Sequence, residues 1–191
     1  EEVVVVTYSS GEIFAFNTED GAILWFENIS SGNFLSKTNV NDIQSPLCIE
    51  EGTIYVPTFS NKLLAYDLKT GKSKWDINLS STNPLVISGD IIYVLDINGK
   101  LMSLEKSTGR LLWAVQLRLK NGEIESFWIG PLLSTNKLLI MSSSGTILSL
   151  SPYSGKTLSK IQFKESFIAG PFQVQEKIYL ISEQGILFVL G

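Results

Sequence analysis

NPLVISGDIIYVLDINGKLMSLEKSTGRLLWAVQL, residues 83–117, decides the fold, because it reads as four short strands and then recurs along the chain. Its predicted strands are residues 85–88, 91–96, 101–105 and 110–117. Gly89-Asp90 and Asn98-Gly99 separate the first three, and Ser107-Thr108-Gly109 precedes the last. Short runs of β-branched and aromatic residues bounded by Gly, Asn and Asp mark strands joined by tight turns, since those three residues reach turn conformations with little strain. Pro84 has no N–H to give to a neighbouring strand, which places it at the start of a strand and not in its middle.

The recurrence is one of spacing. The turn between second and third strands returns as Gly11, Asn61, Gly99 and Gly145, and ten residues beyond each stands Gly21, Gly71, Gly109 or Gly155. Four residues further on are Trp25, Trp75 and Trp113, with Ser159 in the fourth place. An opening proline returns as Pro46, Pro84, Pro131 and Pro171, and the next turn follows it by 15, 15, 14 and 14 residues. Asn61 stands in a glycine place because Asn also tolerates positive φ. A period of roughly 40 to 50 residues with four strands each is that of a β-propeller blade.

The expected fold is therefore all-β, with four-stranded antiparallel blades at residues 1–28, 46–79, 84–117, 131–163 and 171–191. The first lacks its first strand and the last lacks its fourth. Three strands at each end do not combine into one four-stranded blade. The expectation is the C-terminal part of a larger propeller, whose last blade is finished by a strand from upstream.

Composition narrows the chemistry. An apolar fraction of 44% supports a packed core, while a net charge of -4 with scattered Lys and Arg offers no basic stripe for nucleic acid. Cys48 is the single cysteine, so no internal disulfide forms, and it is expected to be a small buried apolar residue. The chain has no histidine, which removes Ser-His-Asp and Cys-His catalysis and histidine metal sites. Asp96-Ile97-Asn98-Gly99 resembles the start of a calcium loop but lacks the closing Glu, and it is expected to be a turn. Glu50 and Glu51 are adjacent in a turn and point apart. No apolar run approaches the ~18 residues that span a bilayer. Neither enzyme activity nor a cofactor or metal is expected.

Two long polar connections, residues 29–45 and 118–130, follow the first and third blades. Strands alternate in direction, so a link leaving an outer strand emerges beside the second-to-third turn. Loops on a rigid scaffold are where binding residues usually sit, and that face is the functional candidate. The tryptophans, repeated at the start of each outer strand, are expected to pack on the neighbouring blade. Ser159 predicts a looser contact at the fourth.

Glycine, ten residues to a second glycine, then four to tryptophan resembles the PQQ-type propeller repeat, which quinoprotein dehydrogenases and non-enzymatic propellers share. Residues 3–16 (VVVVTYSSGEIFAF), Asn41-Asp42-Ile43, Phe127-Trp128-Ile129-Gly130-Pro131 and residues 150–156 (LSPYSGK) resemble the BamB family of outer-membrane protein assembly factors in its alphaproteobacterial form. The resemblance implies one part of an eight-bladed periplasmic lipoprotein on the inner face of the outer membrane. It implies a non-enzymatic scaffold that binds POTRA domains of the central barrel subunit and aids insertion of outer-membrane proteins, with unfolded outer-membrane proteins as further partners. The family's acidic contact before a blade-opening proline maps onto Asn41, Asp42 and Gln44, with Gln44 replacing the second acid. Two other readings stay open. A PQQ-dependent quinoprotein dehydrogenase shares the repeat but uses an adjacent cysteine pair, for which Cys48 has no neighbour. A sensor or interaction propeller shares it as well.

Overall fold

The computed structural model describes residues 2–29, 43, 45–59, 61–118 and 126–190. Among these residues the chain forms strands and turns and no helix. It divides into two compact units, Glu1–Pro84 and Leu85–Gly191.

The first unit holds two antiparallel sheets. β1 (Val3–Thr7), β2 (Glu12–Asn17) and β3 (Ile23–Asn28) form one, in the order β1-β2-β3. β4 (Cys48–Glu50), β5 (Thr53–Pro57), β6 (Leu63–Asp67) and β7 (Ser73–Ile77) form the other, again in chain order. The middle strands explain their own sequences: every residue of β5 is buried, and TIYVP is accordingly apolar or small throughout. The outer strand β7 is exposed or half-buried along its length and reads SKWDI. Ile13, Ile54, Val56, Leu64 and Tyr66 make the core of this unit, with Trp25, Ile43 and Leu47 packed against it.

The second unit holds three sheets. β8 (Val86–Ser88), β9 (Ile91–Leu95), β10 (Lys100–Glu105) and β11 (Leu111–Gln116) build the first. β12 (Trp128–Ser134), β13 (Lys137–Ser142), β14 (Thr146–Leu150) and β15 (Thr157–Gln162) build the second. β16 (Phe167–Val174), β17 (Lys177–Ser182) and β18 (Leu187–Leu190) build the third, which has three strands. One core joins the first two sheets through Tyr93, Leu95, Leu101, Leu138, Ile140 and Leu150. A second, with Met141, Ile147, Phe167 and Leu180, joins the last two.

Five antiparallel sheets of three, four, four, four and three strands match propeller blades, as the spacing predicts. In the four sheets that have an outer strand after their second glycine, that strand carries the same bulge. The register shifts between Ala15 and Phe16, Ala65 and Tyr66, Ser103 and Leu104, and Ser149 and Leu150. Leu24, Lys74, Leu112 and Leu158 are the residues skipped. Each immediately precedes the Trp or Ser of the repeat, so the bulge fixes where that side chain points.

Two expectations need correction. Pro46 and Pro84 do precede their strands, but Pro131 and Pro171 lie inside β12 and β16, which begin at Trp128 and Phe167. Both prolines follow cis peptide bonds, at Gly130-Pro131 and Gly170-Pro171. They are tolerated because β12 and β16 are edge strands whose registers shift there, between Ile129 and Leu132 and between Ala169 and Phe172. Cys48, expected in the core, is half-buried on the edge strand β4. Burial and then the nearby Glu50 push its thiol pKa up, so it remains protonated at neutral pH.

Candidate partner-binding face

In the first four blades the link is tied to the blade's own second-to-third turn by one repeated hydrogen bond. Ile29 N donates to Gly11 O (3.0 Å), Leu79 N to Asn61 O (3.2 Å), Leu117 N to Gly99 O (2.9 Å) and Phe163 N to Gly145 O (2.9 Å). The chain leaving the outer strand therefore runs over the turn, at the same end of the blade. The turn residues have φ of +95°, +72°, +74° and +90°, which glycine and, at position 61, asparagine adopt. The crossing is close: a Cβ on Gly145 would sit 2.5 Å from Glu165 O, and one on Gly99 2.7 Å from Trp128 Cδ1.

In the first unit a buried polar cluster reinforces this arrangement. Ser45 Oγ and Ser81 Oγ both donate to Asn83 O, at 2.7 and 3.2 Å, and Ser81 N donates to Thr58 O at 3.0 Å. Thr58 Oγ1 donates to Lys62 O (2.8 Å), closing the turn between β5 and β6. All four side chains are buried, and each of these bonds would be costly to leave unmade there. Ser45 and Ile43, the latter packed on the core, thus anchor the chain just before β4. Asn41, Asp42 and Gln44, the expected partner contacts, lie outside the described residues. The second-to-third turns of this unit present aromatic rings to solvent: Tyr8 is 50% exposed and Phe59 44%. In the second unit Ile97, in a turn, and Phe127, just before β12, are exposed in the same way. The turn at Asp96 is an ordinary one, its Oδ1 accepting from Asn98 N (2.8 Å) and Lys100 N (2.7 Å).

The opposite ends of the blades carry the second glycines. Gly21, Gly71, Gly109 and Gly155 have φ between +68° and +72° and donate to the carbonyls of Asn17, Asp67, Glu105 and Ser151. Trp25 reaches across from its own blade, its Nε1 donating to Leu68 O at 2.8 Å and its ring lying over Gly71. Trp113 does the same in the second unit, donating to Pro152 O at 3.0 Å over Gly155. These rings fill space between blades and are not platforms for a ligand. Trp75 and Trp113 also lie against Tyr55 and Tyr93 of their own sheets, with centroids 5.8 and 6.1 Å apart. At Ser159 there is no ring, and a cavity of about 120 Å³ borders it.

The carboxylates of these turns serve structure. Hydrogen bonds from the Thr70 hydroxyl and N–H hold the Asp67 pKa below the usual carboxylate range, and those from Arg110 and Thr108 do so for Glu105. Burial pushes the Tyr66 phenol up to about 12. Among the described residues no group of three or more His, Cys, Asp or Glu is placed to hold a metal ion.

Sequence reasoning missed two parts of this face. One is Trp128, buried against Gly99 at the end of a link. The other is the Ser45, Thr58, Ser81 and Asn83 cluster, for which the run of Ser, Thr and Asn at 80–83 was a signal.

Blades of this repeat, closed by the same glycine turns and joined by the same tryptophan seats, define a repeat protein of the PQQ-type propeller class. Residues 1–115 match the family described as outer membrane protein assembly factor BamB, and the chain belongs to that family. It is a family of non-enzymatic propellers, although dehydrogenases share the fold.

The solved BamB of Moraxella catarrhalis superposes with a TM-score of 0.76 at 20% identity, over 98% of this chain and 53% of that one. The computationally designed Ika8 protein gives 0.74 at 14% identity, covering 99% and 55%. A quinohemoprotein alcohol dehydrogenase from Comamonas testosteroni gives 0.72 at 15%, covering 98% and 39%. An uncharacterized protein of Rickettsia prowazekii (strain Madrid E) is 28% identical over 78 residues, 39% of this chain and 19% of its own length. The chain thus spans about half of the solved BamB and matches about a fifth of that curated relative.

Proposed function

We propose that the chain is a scaffold portion of the outer-membrane β-barrel assembly machinery. It acts in the periplasm at the inner face of the outer membrane and binds POTRA domains of the central barrel subunit. The family match over residues 1–115 carries this reading. The link end of the first unit supports it, since the buried Ser45 cluster anchors the chain just before β4 and Tyr8 and Phe59 stand exposed on the turns of their blades. Aromatic side chains at the centre and charges towards the rim are the usual make-up of a protein interface. In this proposal Asn41, Asp42 and Gln44 supply the polar contacts, and Asp42 supplies the charge.

The test is calorimetric titration of the intact propeller with the POTRA domains of the same organism's central subunit. Asp42→Arg is expected to weaken binding about tenfold or more, because a rim acid becomes a like charge against a basic partner group. Unchanged affinity would remove Asp42 from the site. No binding by the folded wild type would remove the proposed function.

A further inference from the structure

The cavity beside Ser159 lies between the last two sheets of the second unit, bordered by Met141, Ile147, Ile178, Leu180, Ser149 and Ser159. Its origin is legible in the register. Ser159 pairs with Ser149 as Trp113 pairs with Ser103 and Trp25 with Ala15. The position that holds an indole in those blades holds a hydroxymethyl here. The walls are otherwise apolar, and Met141 and Leu180 belong to the adjoining core.

Two serines break the apolar lining, Ser159 at its edge and Ser149 within it. Ser149 is only 7% exposed and its Oγ has no hydrogen-bond partner. A buried hydroxyl left in this state destabilises the fold, and a group that bonds to it recovers the loss. An aromatic ring suits the site well, since an apolar cavity of about 150 Å³ is known to hold benzene. Ser159 and Ile161 are exposed at its edge, so the cavity is reached from solvent.

We propose that this cavity binds a single aromatic ring bearing one O–H or N–H, with the ring among Met141, Ile147 and Leu180 and its polar hydrogen donated to Ser149 Oγ. The ring comes either from a free phenol-like molecule or from a tyrosine side chain.

Met141 borders the cavity and Met102, the other methionine, lies in β10 away from it, which makes ¹³C-methyl methionine NMR the direct test. Titrating the 191-residue chain with phenol is expected to shift the Met141 methyl saturably and leave Met102 in place. Ser149→Ala is expected to lower phenol affinity about fivefold, the worth of one hydrogen bond, and to leave benzene unaffected. Ser159→Trp, or Ser159→Phe should the first not fold, is expected to abolish the Met141 response. N-acetyltyrosinamide separates the two sources: a matching shift admits a side chain, and its absence restricts the site to a free molecule. Met141 and Met102 drifting together without saturation, or saturable binding that survives in a folded Ser159→Trp or Ser159→Phe chain, would overturn the proposal.

Discussion

Gly71 and Gly21 share a backbone angle, φ +68° and +71°, but not an environment. A Cβ on Gly71 would meet three atoms of the Trp25 ring between 2.7 and 2.9 Å, whereas one on Gly21 meets nothing within 4 Å. Both alanine variants incur a left-handed strain of about 1–2 kcal/mol. Gly71→Ala must also displace the indole or its seat, which adds about 1–3 kcal/mol. Urea unfolding of the pair is therefore expected to show the larger loss at Gly71, and equal losses would mean that the tryptophan contact is slack. The spacing of the sequence made both glycines visible and could not separate them, because the crowding comes from a tryptophan of the preceding blade. Asn61, with φ +72°, was legible for the converse reason: its conformation is a local property of the turn. Trp128 over Gly99 was not legible, since nothing near Gly99 in sequence announces it.

At the scale of elements, two of the turns joining third to outer strands are closed by carboxylates. Asp67 Oδ1 accepts from Thr70 N (3.0 Å) and Thr70 Oγ1 (2.9 Å), and Glu105 accepts from Arg110 Nη2 at 3.0 Å. Both carboxyl pKa values are lower in the folded chain, so their stabilisation is fully present above the unfolded values near about 4. It is lost as pH falls through the folded values. Asp67→Asn keeps an acceptor oxygen and removes the titration. Thermal melts of the variant are expected to lose less stability than wild type on acidification below about pH 4, where an ordinary carboxylate titrates. Identical pH slopes would discount Asp67 as a contributor. Strand order, strand bounds to within a residue or two, and the turns were legible in the sequence, as β9 to β11 illustrate. The prolines within β12 and β16 were not, because a bulge on an edge strand is set by pairing and leaves no local composition to read. The bulge before each Trp was hidden in the same way.

At the scale of the molecule, β18 ends its three-stranded sheet and exposes Leu187 (57%) and Val189 (50%). An open apolar edge is a template for another strand. The isolated 191-residue chain is expected to self-associate as its concentration rises in light scattering, and Val189→Lys to shift it towards monomer. A wild-type chain monomeric at all concentrations would show the edge to be inert. The class of the fold could be read from repeats because every blade states it again; the proposed partner contacts could not, because Asn41, Asp42 and Gln44 belong to one short stretch of sequence that no other blade repeats. The tryptophan seats carry a last implication. Trp25 reaches forward onto Gly71 and Trp113 onto Gly155, so each such junction joins a plug on one blade to a socket on the next. Head-to-tail junctions between unlike surfaces set no fixed number of members, unlike self-complementary ones. Genes for such proteins can therefore lengthen or shorten by whole blades, each duplication bringing its own plug and socket, while an indel of half a blade leaves both unmatched.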